Sequence, residues 1–183
     1  ALAHNGCDGV EVDIQLSKDG TAWLFHDLDM EEETGETGCV PSKTDAELEK
    51  LRYKSFHKEN LLRLDEPEVY GKAVFLDLKY VNSCVGDTVS LGDLLDDLTA
   101  FRDKNTSGEV RLITFNPGWI DILVATGMEV FYEAEDYERA LSYVENVGLK
   151  GFVFKSKTIT KDQLADIESK GFQTVLFDVR SPK

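Results

Sequence analysis

The stretch Gly9–Asp27, "GVEVDIQLSKDGTAWLFHD", places two acids at alternate positions inside an otherwise apolar run and closes the next apolar run with a His-Asp pair. Side chains of a strand alternate between faces, so Val10, Val12 and Ile14 share one face while Glu11 and Asp13 share the other. Such a run folds only where one face is covered by apolar elements and the other tolerates converging charge. The bland reading is an edge strand with its acids in water. A later run, "AVFLDLKY" over 73–80, repeats the pattern: Phe75, Asp77 and Lys79 fall on one face and Val74, Leu76 and Leu78 on the other.

Seven runs rich in Val, Ile and Phe are read as strands: Gly9–Leu16, Ala22–Phe25, Ala73–Tyr80, Val110–Phe115, Glu129–Glu133, Gly151–Lys155 and Gln173–Val179. Helical spacing predicts helices over Leu91–Lys104 and over Tyr137–Val147 behind an Asp136 N-cap. A third is expected behind the Thr160/Gln163 capping box and ends near Gly171. Strand and helix in alternation point to an α/β fold with a parallel sheet. The polar segment at about 28–72 breaks the alternation and reads as an insertion or elaborated loop, with one short helix near Asp45–Tyr53. The chain is otherwise read as one domain over 1–183.

In a closed parallel barrel the active site lies at the C-terminal ends of the strands, where Glu11, Asp13, His26, Asp77 and Lys79 all fall. Three carboxylates meeting in a partly buried place repel one another unless a cation or raised pKa values relieve them. Oxygen-only ligands suit Mg²⁺ or Ca²⁺ rather than zinc. Lys79 is then a fixed positive charge for a phosphoryl oxygen, and His26 a general acid or base.

The net charge of −15 argues against nucleic acid as a partner. No apolar run approaches the roughly 20 residues that span a bilayer. Cys7, Cys39 and Cys84 form no CxxC or Cys/His cluster, and are read as packing residues rather than a disulfide framework or zinc site. Free cysteines make the cytoplasm a mild favourite for a compartment that otherwise stays open, since a removed signal peptide leaves no trace.

The residues "GCDGVEVDIQLSKDGTAWLFHD" closely resemble the core motif of the glycerophosphodiester phosphodiesterase family: an acid-x-acid strand, a Lys-Asp-Gly turn and a His-Asp pair in that order. "ETGETGCVPSKTDAELEKL" is similar to that family's Thr-Gly-Thr-rich loop and short helix, and "FLDLK" to its strand bearing acid-x-Lys. The resemblance implies a TIM-barrel hydrolase of lipid metabolism that uses a divalent metal, Mg²⁺ or Ca²⁺, to cleave a small-molecule glycerophosphodiester into glycerol 3-phosphate and an alcohol. It implies Glu11, Asp13 and Asp77 as metal ligands, His26 as one of two catalytic histidines, Lys79 as the phosphate-neutralising residue, and Asp27 as a residue that orients its loop.

Departures carry information too. The family usually has Glu where Asp77 stands, and the acidic run Glu31–Glu33 replaces an Arg-containing stretch. The family's opening His-Arg-Gly strand has no counterpart in these residues. Seven strands where a barrel needs eight, and a length short of the typical ~250 residues, lead to the same expectation: a barrel lacking its first strand, truncated at its N-terminus, whose activity suffers without the first catalytic histidine. His4 and His57 are read as ordinary surface residues, not replacements. Two readings stay open beside the hydrolase: a catalytically inactive barrel serving as a binding or structural module, and a related phospholipase.

Overall fold

The computed structural model describes residues 8–55, 57–69, 71–79, 84, 90–145 and 148–179. The chain divides into two compact units, residues 1–110 and 111–183. His4, Cys7, Tyr80 and Val147, on which parts of the sequence reading fall, lie outside the described residues.

In the first unit, β1 (Gly9–Leu16), β2 (Ala22–Leu24), β3 (Leu62–Arg63) and β4 (Ala73–Leu78) pair in the order β3-β2-β1-β4. β1 and β4 run parallel, with Asp13 opposite Asp77 and Glu11 opposite Phe75. Gly9 opens this ladder because a Cβ there would stand 2.6 Å from the carbonyl oxygen of Ala73. After Leu16 the chain reverses through the Lys-Asp-Gly turn, where Gly20 takes the left-handed φ of 85° that disfavours a side chain. β2 therefore returns antiparallel along β1, with Ile14 opposite Leu24 and Leu16 opposite Ala22.

This corrects two expectations. Ala22–Phe25 is the second arm of a hairpin rather than a parallel barrel strand. The segment at 28–72, read as an elaborated loop, also supplies a strand, β3, antiparallel to β2, so the described residues hold eight strands rather than seven. That segment also carries two short helices, α1 (Glu31–Thr34) and α2 (Asp45–Leu48), and a 3₁₀ turn at Val40–Ser42.

The insertion packs onto the returning arm of the hairpin in one core. Trp23, Phe25, Met30, Val40, Leu48 and Leu61 are buried together, and Leu51 and Tyr53 pack against them. The Phe25 and Tyr53 rings stack with centroids 6.0 Å apart. Asp45 at the head of α2 ties this core to the hairpin, accepting from Ser17 Oγ at 2.6 Å, Thr21 Oγ1 at 2.5 Å and Trp23 Nε1 at 2.9 Å. Burial works against its charge, but these three donors outweigh it and hold the carboxyl below its ordinary range. α3 (Leu91–Lys104) matches its expected bounds: Ser90 caps it, and Leu94, Leu98 and Phe101 form its buried stripe.

The second unit is built from β5 (Glu109–Thr114), whose first residues belong to the first unit, and β6 (Glu129–Glu133), β7 (Leu149–Lys155) and β8 (Gln173–Phe177), in parallel pairing. Its helices are α4 (Ile120–Val124), α5 (Tyr137–Leu141) and α6 (Lys161–Ser169). The Asp136 cap and the Thr160/Gln163 capping box occur as expected, although α5 is shorter than its periodicity suggested. No helix among the described residues is long and apolar enough to cross a membrane.

The cysteine reading is overturned. Cys39 and Cys84 form a disulfide, with Cα atoms 6.0 Å apart and a sequence separation of 45. Their wide spacing hid the pairing, because only the tertiary fold brings Cys84 to Cys39. The argument from free cysteines to the cytoplasm loses its basis. A cross-link closing a loop of 45 residues restricts the unfolded chain by about 4 kcal/mol in the chain-entropy account. Urea unfolding with and without a reductant is therefore expected to show a loss of about 2–4 kcal/mol on reduction, and Cys84→Ala should reproduce it and be insensitive to reductant.

Candidate active site

Parallel pairing of β1 and β4 puts Asp13 and Asp77 side by side on one face, with Glu11 one alternation earlier along β1. Ligand oxygens of Glu11, Asp13 and Asp77 all lie within 4.8 Å of one another. The sequence-derived trio does converge. Lys79 continues the ladder beyond β4, its backbone N–H donating to Ile14 O at 3.1 Å, and its Nζ stands 2.6 Å from Asp13 Oδ1 and 2.5 Å from Asp77 Oδ2. The two aspartate side chains are only 11% and 13% exposed while Glu11 lies at the exposed side of the cluster, and β1 is paired on both sides, so this is not an edge strand with all its acids in water.

Its electrostatics follow from that burial. Desolvation pushes Asp77 up, and Asp13 adds to the effect while the Lys79 ammonium opposes it. For Lys79, burial acts against the charge, but Asp77 and Asp13 more than offset it and keep the ammonium well above the ordinary lysine range. Glu11 is pushed up to about 7, first by desolvation and then by the charges of Asp13 and Asp77.

His26 reaches this place by a route the sequence did not reveal. It does not end a parallel strand; the hairpin carries it back along β1, with Phe25 N–H donating to Asp13 O at 3.1 Å. The imidazole is 76% exposed, and its Nδ1 lies 2.6 Å from Asp27 Oδ1. An ionised carboxylate only accepts, so Nδ1 carries the proton and Nε2 is left toward solvent. The hydrogen bond to Asp27, and next the charge of Asp13, raise the His26 pKa above its ordinary value. The Asp27 side chain thus holds the ring itself. His26 and Lys79 both line a cavity of about 910 Å³ whose other wall includes Asp29, Glu31 and Glu32. His57 is exposed within the insertion.

Gln15, passed over in the sequence, is 5% exposed and lies on the same alternation as Glu11 and Asp13. Its side-chain amide contacts the backbone carbonyls of Phe25, His26 and Asp27. The signal was present in the period-2 pattern, but glutamine carries no charge to draw notice.

The donor set fits a hard divalent ion. Oxygens within 4.8 Å of each other can share one centre at the 2.0–2.6 Å typical of Mg²⁺ or Ca²⁺. Three carboxylates against one ammonium leave two negative charges when all are ionised, which one such ion would neutralise.

Residues 1–92 match the sequence profile of the glycerophosphoryl diester phosphodiesterase family. No curated protein matches the chain in a sequence search. Among solved structures, the chain is similar to an Oleispira antarctica phosphodiesterase in complex with the product sn-glycerol-3-phosphate (TM-score 0.78, 20% identity, covering 96% of this chain and 74% of that one). It is also similar to glycerophosphodiester phosphodiesterases from Parabacteroides distasonis (0.66, 19%, 97% and 73%) and Thermotoga maritima (0.65, 18%, 97% and 75%). These likenesses show the fold: α/β, of the TIM (β/α)-barrel class, with this chain spanning about three quarters of those structures' length.

Glu11 also makes a testable claim about stability. The folded metal-free protein holds its proton up to about 7, whereas the unfolded chain releases it near the ordinary carboxyl value, so the folded state binds more protons between the two. Stability from this group is full below the unfolded pKa and falls as pH rises through about 7. In chelator, Glu11→Gln is expected to be more stable than the parent at pH 8, with the difference shrinking toward zero as pH falls to 4; denaturant titrations across pH measure it.

Proposed function

The chain belongs to the glycerophosphoryl diester phosphodiesterase family, and from that premise we propose that it cleaves glycerophosphodiesters to glycerol 3-phosphate and an alcohol with a divalent cation held by Glu11, Asp13 and Asp77. The observation that carries this reading is the convergence of those three carboxylates within 4.8 Å beside a half-buried lysine. The product-bound Oleispira structure supports the assignment of glycerol 3-phosphate.

A bound Mg²⁺ or Ca²⁺ supplies Lewis-acid polarisation of a phosphoryl oxygen and a fixed positive charge at the developing anion. The chain's own residues do the rest. Lys79, kept charged by Asp13 and Asp77, adds a second cation on the wall of the cavity and lowers the cost of bringing a phosphodiester near three acids. His26, with Nδ1–H given to Asp27 and a raised pKa, is partly imidazolium near neutral pH. Its Nε2–H is then the donor that protonates the leaving alcohol oxygen. The Asp27 bond restrains the ring, which lines the cavity.

Release of glycerol 3-phosphate from glycerophosphocholine should depend on added Mg²⁺ or Ca²⁺ and stop in chelator. Asp13→Asn should abolish calorimetric binding of the ion. His26→Ala should lower kcat by about 10² to 10⁴-fold while ion binding and melting temperature stay near those of the parent, because an exposed imidazole contributes little packing. Inactivity of the parent on several glycerophosphodiesters with either ion, or full activity of His26→Ala, would overturn the reading.

A further inference from the structure

We propose that Gln15 is a positioning residue for this reaction: its buried side-chain amide grips the Phe25–His26–Asp27 turn and thereby aims the His26 imidazole at the cavity. The catalytic half of the proposal rests on the reading of His26 as proton donor; the structural half does not.

Gln15 Nε2 lies 2.9 Å from Phe25 O, 2.9 Å from Asp27 O and 3.4 Å from His26 O. An amide nitrogen has two hydrogens, so the shorter contacts, to the carbonyls on either side of His26, take one each. The backbone here is leaving the hairpin: the last ladder bond is Phe25 N–H to Asp13 O, and β2 itself ends at Leu24. From that point no strand among the described residues pairs with the turn. Holding the Phe25 carbonyl orients the peptide plane before His26, the longer contact to His26 O bears on the plane after it, and the Asp27 carbonyl anchors the next plane, so the turn that carries the His26 Cα–Cβ bond is held at both ends. Only the two side-chain torsions remain, and the contact of Nδ1 with Asp27 Oδ1 at 2.6 Å constrains those. Asp27 is itself held by the same amide, so one side chain places both members of the His-Asp pair.

Position on β1 matters as much as chemistry. Gln15 shares the face of Glu11 and Asp13 and belongs to the same strand as the carboxylate cluster, so the proton donor is referenced directly to the acids. A carboxylate at position 15 would face the negative ends of three carbonyl dipoles, and an apolar residue would leave those carbonyls without a donor.

The test uses Gln15→Met, which keeps the length and loses the donor, and Gln15→Glu, which reverses the polarity. Misplacement of a catalytic group by about 1 Å can cost 10²-fold, so per folded molecule kcat is expected to fall about 10- to 100-fold in Gln15→Met and further in Gln15→Glu. KM and ion binding should stay within about twofold of the parent. In a His26→Ala background, Gln15→Met should add less than about twofold, since residues acting through one group are not additive. Nitrogen NMR of the His26 ring reads the same proposal without turnover: above its titration the parent should show a fixed Nδ1–H tautomer, and Gln15→Met an averaged pair. Should Gln15→Met fail to fold, Gln15→Asn, which keeps the amide but withdraws it by one methylene, carries the same expectations. An unchanged kcat, an equal loss in the His26→Ala background, or an unchanged ring tautomer would overturn the proposal. A parent without phosphodiesterase activity but with the tautomer change would instead retire the function and keep the positioning role.

Discussion

The ammonium of Lys79 sits against two carboxylates that parallel pairing forces into adjacent register, and the geometry of the site depends on that contact. Asp13 and Asp77 face each other across β1 and β4. Two like charges about 4 Å apart at an effective dielectric of 20 repel by about 4 kcal/mol, which would splay the strands' ends if left uncompensated. Lys79 lies on the same alternation as Asp77 and reaches both acids at 2.6 and 2.5 Å. Compensation is incomplete: two aspartates face one ammonium, and Glu11 beside them gives up its proton only near 7, which is the charge balance behind the proposed divalent-ion site.

The rest of the first unit brings His26, the proton donor of the proposed reaction, to this cluster. A tight turn at Gly20 sends the chain back along β1, and the insertion packed onto the returning arm holds it down. Phe25 is 2% exposed and stacked on Tyr53, so the residue before His26 is anchored while His26 stands 76% exposed. Burying one residue and exposing the next is ordinary strand alternation; here it separates packing from chemistry within two positions. Gln15 below the turn and Asp27 beside the ring complete the orientation. The Cys39–Cys84 disulfide ties the insertion covalently to a residue beyond β4.

Period-2 alternation already specified β1 and β4, and the charges on their minority faces marked Glu11, Asp13, Asp77 and Lys79 as a set. Local rules were enough for this and for the helix starts, because strand periodicity, capping by Asp136 and Thr160, and the Lys-Asp-Gly turn act over a few residues. Tertiary structure alone decided the direction of β2, the folded insertion, the Cys39–Cys84 pairing and the grip of Gln15 on the His26 turn. A run such as Ala22–Phe25 has the same apolar signature whether it pairs parallel or antiparallel. Apolar residues spread from Met30 to Leu61 look like loop until they are buried together. An uncharged amide declares its role only when three carbonyls arrive around it. Periodicity reports which face a side chain takes; the partner on that face is chosen by contacts between residues distant in the chain, which no local pattern encodes.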